Sequence, residues 1–347
     1  MKTYIPYSLL LAAAASGLAF GQTAYTTPVG YTTTAISAAF APNAPKNNVI
    51  APLLQNSASW AGKVTSVSAD TITLTGAAFV NGAYNLAALS FKAYAFYIQT
   101  PDGYWAQIES SSPTTVTVEA GAGVYFQNNE SVIIRKHLTI SSYFGATNSA
   151  GLQSSAAGDA EQADNINIID EVNNGAIIVF ASSALGGTWI TDAFENAANV
   201  PIYPDQGLQV LRRGATNLSL VTSGEVDILP RQTGVNTGVQ IRPYVVPVDT
   251  TLTTLGLYTG NPATGVVGTA TGDTAAADVI TILSNGVPSN YFYSTANLGG
   301  GIGWYDDGLA FAGNLIIPAG VGLIINRSNP TNQAPFVWVK PAIAIGQ

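Results

Sequence analysis

The sequence contains no cysteine. No disulfide can staple the fold, and no thiolate is available for metal binding or nucleophilic catalysis. Histidine is almost as scarce, since His137 is the one imidazole in 347 residues. A Ser-His-Asp triad would have to use it. It stands in the alternating stretch VIIRKHLTIS beside Arg135 and Lys136, whose charges disfavour an imidazolium. It reads as a surface or half-buried strand residue. No GxSxG nucleophile elbow occurs. With one His and no Cys, a zinc or redox-metal site lacks its usual ligands. Charge is sparse as well. Lys and Arg number 12, scattered along the chain, against 20 Asp and Glu, for a net charge of −8. Nucleic acid needs clustered cations to neutralise phosphates, so it is not expected as a partner, and an acidic, lysine-poor surface is a poor match for anionic lipid.

Long apolar runs are missing except at the N-terminus. There Lys2 precedes YSLLLAAAASGLAF, and Ala19-Phe20-Gly21 fits a small-x-small cleavage site. The run is short of the about 20 residues that span a bilayer. The pattern predicts a cleaved signal peptide over 1–21, a mature start at Gln22, and export to the periplasm, cell surface or medium. Without a following Cys, lipid anchoring is not expected. Hydrophobic residues make up 47% of the chain, so an exported product would owe its solubility to Thr, Ser, Asn and Gln.

What the chain has in quantity is strand signal. KVTSVSADTITLTG (Lys63–Gly76) alternates Val64, Val67, Ile72 and Leu74 around a polar centre, which predicts a hairpin turning near Ala69-Asp70. NINIID, AIIVFA, LQVLRR, VITIL, NYFYS, GLIINRS and PFVWVKP are short, rich in β-branched and aromatic residues, and bounded by Gly, Pro, Asn or Asp. One segment, Thr191–Val200, suggests two helical turns capped by Thr191 or Asp192. The expected fold is all-β: duplicated sandwich-like or barrel-like modules with short turns and little helix.

Duplication is read from recurring landmarks. GDAEQADNINI (Gly158–Ile168) returns as GDTAAADVITI (Gly272–Ile282), an offset of 114 (272 − 158). With one-residue gaps, Trp189 aligns with Trp304, Asp192 with Asp307, Pro204 with Pro318, Gly207 with Gly322 and Arg212 with Arg327. A fainter echo lies at Phe96–Trp105 and Ser131–Lys136. The division expected is an extended Thr-rich segment at 22–48, a first module at 49–222 with an inserted hairpin region, and a second module at 223–347. The Thr-rich segment either pairs within its own first sheet or docks into a neighbouring subunit; the first is favoured. Gly-Asp before a strand reads as a tight turn. The Trp reads as filler at the sheet edge, and the Arg as a strand end that covers apolar surface while its charge stays wet.

TTPVGYTTTAI (Thr26–Ile36), WAGKVTSVSADTITLTG (Trp60–Gly76), GGTWI and GLQVLRRG together resemble an uncharacterised family of secreted, repeat-containing bacterial proteins of verrucomicrobial type. The resemblance spans nearly the whole mature chain, with INRS departing from the pattern in the last module. It implies export and repetition and carries over no catalytic residue.

Three chemistries remain to be weighed. Trp189, Trp304, Tyr305 and Trp105 are candidate stacking faces for a carbohydrate, with Asp192 and Asp307 beside them. The same acids, with Asp306 and Glu195, are the candidates for a glycosidase pair, although adjacent Asp306 and Asp307 on a strand would face opposite ways. Asp159, Asp164, Asp273 and Asp278 recur with the repeat and are candidate calcium ligands, or simply turn residues. No cofactor is expected. The reading is a non-enzymatic exported β-protein, a surface or envelope component acting by assembly or adhesion, with envelope proteins or glycans as partners. A carbohydrate-binding module is the alternative, and a glycoside hydrolase the less favoured one.

Overall fold

A computed structural model of the chain describes residues 28–41, 44–170, 175–244, 248–327 and 334–340. The expected signal peptide lies outside these residues, as does Pro42 of the Pro42–Pro45 spacer. The protein is all-β, with three bodies built from one continuous path. The first body opens with β1 (Val29–Ile36), β2 (Lys46–Ile50) and the short β3 (Leu54–Gln55). The chain then leaves to form β4 (Ala58–Ser68), β5 (Thr71–Leu74), β6 (Phe96–Gln99), β7 (Trp105–Ser111), β8 (Thr115–Val118) and β9 (Ser131–Lys136). It returns through β10 (Leu138–Thr139), α1 (Ile140–Phe144), β11 (Asn165–Asp170), β12 (Gly175–Ser182), β13 (Thr188–Thr191), β14 (Pro201–Ile202), β15 (Leu208–Arg212) and β16 (Leu218–Val226). The last body holds β17 (Arg231–Val235), β18 (Gly238–Pro243), β19 (Thr250–Thr251), β20 (Val279–Ser284), β21 (Val287–Ser294), β22 (Gly303–Asp306), β23 (Ile316–Ile317), β24 (Gly322–Arg327) and β25 (Phe336–Lys340).

The excursion is a closed barrel in the order β4-β5-β8-β7-β6-β9. Its first hairpin turns at Ala69-Asp70, where Ala69 takes φ 50° and Asp70 accepts bonds from the Gly121 and Gly123 amides. Closure requires strands to bend and stagger. Pairing slips between Val64 and Ser66, Ala58 and Trp60, and Ile108 and Ser110 supply the bends. Val64, Ile72, Ile98, Ile108, Val116 and Ile134 fill the interior. The hairpin was legible in sequence; the barrel around it was not.

The other two bodies follow one plan. Five strands run in the order β13-β12-β11-β15-β2 in one and β22-β21-β20-β24-β18 in the other. Beside each lies a ribbon, β1-β16 extended by β3 in the first body and β17-β25 in the second. Alternation points Ile166 and Ile168 into the first core, with Trp189, and Ile280 and Ile282 into the second, with Trp304. The expected turns are present. Gly158 and Gly272 take φ 72° and 75°. Asp159 accepts from the Glu161 amide at 2.8 Å, and Asp273 from the Ala275 amide at 2.9 Å.

Three expectations need correction. The boundary at 222 falls inside β16, which pairs with β1 along its length from Leu218 to Glu225. Residues 29–36 and 46–48 of the Thr-rich segment therefore belong to the first body's own sheets. Thr191–Val200 is not helical. The Thr191 hydroxyl accepts from the Glu195 amide at 3.1 Å, Phe194 takes φ 62°, and Asn196 bridges back to Ile190. The hydroxyl competes with helical pairing and turns the chain back onto β13. Finally, Arg212 and Arg327 do not keep their charge wet. They are 1% and 0% exposed and pair with Asp164 and Asp278.

Removing one partner of a buried pair strands the other charge, which costs about 3–5 kcal/mol. Asp164→Ala should therefore lower stability in urea unfolding by about that amount. Asp159→Ala removes only a cap and should cost about 1 kcal/mol. Equal effects would show that the pair contributes no more than a turn.

Candidate functional site

The residues singled out as sugar platforms are mostly core. Trp189 is 0% and Trp304 2% exposed. The Trp189 indole donates to the Gly145 carbonyl at 2.7 Å, and Trp304 meets Tyr293 edge-on at 5.6 Å. Tyr305 is buried as well, its hydroxyl donating to the Gly301 carbonyl and accepting from the Gly300 amide. None of the three offers an open face for stacking. Asp192 and Asp307 are exposed on turns, while Asp306 accepts from the Ala310 amide at 2.8 Å. None of the Trp or Tyr platforms named from the sequence opens beside these acids, although Phe194, two residues from Asp192, is 70% exposed.

The four recurring aspartates serve the backbone and the arginines. Asp164 accepts from Arg212 and from the Gln153, Arg213 and Gly214 amides. Asp278 accepts from the Val267 amide at 2.9 Å and from Arg327 Nε at 3.3 Å. The Asp164 oxygens are engaged inside the protein, whereas Asp278 bonds through Oδ2 and its buried Oδ1 has no hydrogen-bond partner among the described residues. Among the described residues no group of three or more His, Asp or Glu stands close enough together to hold a metal.

The polar chemistry gathers instead where the three bodies meet. Arg231, at the start of the last body, donates to Asp227, to the Pro204 carbonyl at 3.1 Å and to Gln55 at 3.3 Å. Gln55 also accepts from Tyr97 of the barrel at 3.0 Å. Arg135 of the barrel donates to the Asn56 carbonyl at 2.7 Å and pairs with Glu225 of β16. The barrel loop before Trp105 docks on β17: the Gln232 amide donates to the Gly103 carbonyl at 3.0 Å. Gly103 has φ +89°, and a Cβ there would lie 1.9 Å from the Pro230 carbonyl oxygen. Only glycine permits both the conformation and the approach.

His137 sits inside this junction, 1% exposed, rather than on a surface strand. Its ring stacks on Tyr97 at 4.8 Å and meets Tyr203 edge-on at 4.9 Å. Its Nε2 is 2.7 Å from the Gln107 amide oxygen. Burial, with the Arg231 charge adding to it, lowers its pKa to about 3. Arg135 and Lys136, its sequence neighbours, are not the cause. Tyr97 is pushed up to about 12, chiefly by burial. A neutral, hydrogen-bonded imidazole of this kind packs; it does not shuttle protons near neutral pH.

Beside the junction lies a cleft of about 500 Å³. Trp105, Tyr203, Glu109, Glu119, Asp205 and Arg242 are among its walls. Trp105 is the one proposed stacking residue that lines an open space, and it is half-buried. Burial raises the Glu119 pKa, and the neighbouring Asp205 and Glu109 charges add to that, while the Gln107 amide opposes it. Lys92 bonds Glu109 at 2.5 Å across the mouth. Sequence reasoning named Trp105 and His137 but missed Arg231, Asp227, Gln55 and Gln107. The signal available was the DG of TPDGYW, a turn dipeptide that marks the docking loop.

With this geometry in hand, the chain was compared with family models, curated proteins and solved structures, and no match was found.

Two outcomes follow. His137 is neutral when folded but titrates near 6.5 when unfolded. Its contribution is therefore complete above about pH 6.5 and is lost as pH falls toward 3, with a slope of at most about 1.4 kcal/mol per pH unit. Stability-against-pH curves for the wild type and His137→Gln should diverge in that window and run parallel above it. Gly103→Ala forces strain of about 1–3 kcal/mol. It should lower the melting temperature and speed proteolysis of the 226–231 connection; an unchanged cleavage rate would mean the loop does not hold β17.

Proposed function

We propose that the protein is an exported, non-enzymatic surface or envelope component that works through protein contacts. The export part rests on the sequence of residues 1–22. The observation that carries the contact part is the outward face of the two ribbons. Val29 and Tyr31 of β1 are 75% and 78% exposed, Val221 of β16 is 63% exposed, and Val337 and Val339 of β25 are 51% and 58% exposed. Tyr31, Thr33 and Ala35 sit opposite Ser223, Val221 and Ser219, so this stretch carries hydroxyls and alkyl groups without a charge. Exposed, flat, uncharged ribbon is the kind of surface that contacts another molecule. Meanwhile the arginines are drawn inward: Arg135, Arg212, Arg231, Arg242 and Arg327 are all buried. Two bodies on one plan, read together with the sequence landmarks, fit a duplicated module that presents such a ribbon twice.

The test is retention and mass. The mature chain should associate, with itself or with the envelope, in light scattering and cell-fractionation experiments. Val337→Lys with Val339→Lys should reduce that association at least several-fold while leaving the melting temperature within a few degrees. A strict monomer that is never retained would overturn the proposal.

One observation favours a second reading, saccharide binding at the junction cleft. Trp105 offers a partly open indole beside Glu119 and Asp205. Trp105→Ala should abolish binding on a glycan array if this reading holds, with the fold intact by circular dichroism.

A further inference from the structure

The two ribbons differ in how their outer edges are treated, and that difference points to a binding groove. Just before β1 the Pro28 carbonyl accepts from the Val226 amide at 2.9 Å. Antiparallel alternation then turns the backbone groups of Gly30, Thr32 and Thr34 toward β16, and those of Tyr31, Thr33 and Ala35 away from it. Among the described residues, no hydrogen-bond partner meets those outward groups. The other ribbon has an equivalent position. The Ser37 amide donates to Asn48 at 2.8 Å, and the Asn236 amide donates to Gln240 at 3.0 Å, so the two sites superpose in role. Four residues before each lie Thr33 and Gln232. The Gln232 amide is covered by the Gly103 carbonyl of the barrel loop. Thr33 has no such cover.

Instead, Thr33, Thr34 and Ala35 line a groove of about 470 Å³. Ile282–Gly286 and Ser289 of the β20–β21 hairpin line it too, with Leu315 and Ile316 adding apolar surface. Ile316 is 64% exposed. Among the described residues no Asp, Glu, Lys, Arg or His lines the groove, in a chain whose net charge is −8. Charge reaches the groove at its rim, where the Lys46 stem lies against Gly286 and Asp249 accepts from the Ala319 amide; between them a charged occupant would lose its hydration without a partner in the lining.

We infer that this groove takes a single extended, uncharged peptide segment from a partner protein, added as a strand to the outer edge of β1. Backbone bonds to Thr33 and Ala35 supply affinity, and small apolar or hydroxyl side chains fill the groove. The molecule contains its own precedent in the Gly103 carbonyl on Gln232. The inference rests on the contact reading above and narrows it to the outer edge of β1, which does not involve Val337 or Val339 of the other ribbon.

A capped Thr-Val-Thr-Val-Thr-Val hexapeptide, labelled for fluorescence polarisation, is the probe, with the full mature chain as receptor. Binding should saturate, and a peptide with Lys at alternate positions should bind at least tenfold more weakly. Thr33→Pro deletes the outward amide and leaves the β16 ladder untouched, because proline is tolerated where an edge-strand N–H faces out. It should weaken binding at least tenfold. Ile316→Asp, at an exposed position, should do the same should Thr33→Pro unfold. Val337→Lys with Val339→Lys should bind the peptide normally, which separates failure here from failure of the ribbon reading. No saturable binding, or equal binding by Thr33→Pro and Ile316→Asp, overturns the proposal. So does light scattering in which Thr33→Pro converts an oligomer to a monomer, since the occupant is then a second copy.

Discussion

An arginine cannot shed its proton inside a protein, so each buried guanidinium must be met by a carboxylate or by carbonyl oxygens. This constraint organises the molecule. Arg212 and Arg327 close equivalent strands and pair with the aspartates that follow the two Gly-Asp turns, 48 and 49 positions away in sequence. Each pair ties a strand end to a turn on the neighbouring strand. Arg327 also donates to the Val235 and Ala334 carbonyls and lies 4.6 Å over the Phe336 ring. The desolvation cost of such pairs is large, and an apolar replacement often matches them in stability. Their particular effect is to make one register preferable to its neighbours: a shift of one residue would leave an unpaired charge in the core.

The same logic explains the junction. Arg231 and Arg135 do not sit within one body. Through Gln55, Pro204, Asn56 and Glu225 they connect the barrel, the first sheets and the start of the last body. With no disulfide available, these bonds, the aromatic cluster around His137 and the Gly103 docking contact hold the bodies in fixed relation. The barrel is thus not a loose insertion. Its loop completes the edge of β17, and its Tyr97 completes the coordination of Gln55.

Sequence reasoning reached the parts of this structure that depend on near neighbours. Alternation gave the strands, the hairpin at Ala69 and the inward isoleucines, because period two follows directly from the pleat. The Gly-Asp landmarks gave the caps. Closure of the barrel was hidden, since it joins β4 to β9, strands whose own residues carry no mark of each other. The fate of the arginines was hidden for a similar reason. A strand-ending Arg normally leaves its head in water, and only the fold brings Asp164 to Arg212. The Trp residues illustrate the opposite limit. Aromatics beside acids describe a sugar site and a sheet edge equally well, and burial alone separates them. Trp105 kept a partly open face because the cleft formed by three bodies, which no local pattern encodes, lies against it.

The distribution of charge also bears on how such a protein meets its surroundings. Drawing five arginines inside leaves an outer surface of hydroxyl, amide and alkyl groups with a thin acidic excess. A surface of that kind has little long-range electrostatic steering, so the contacts proposed above would rest on short-range shape and backbone pairing. Edges and ribbon faces provide that, and charged gatekeepers that would normally blunt an edge strand are missing from β1. In the last body the protein's own loop meets the equivalent edge; in the first, among the described residues, no loop does. That asymmetry within a shared plan is the feature that packing alone does not require, because the first core is complete without it.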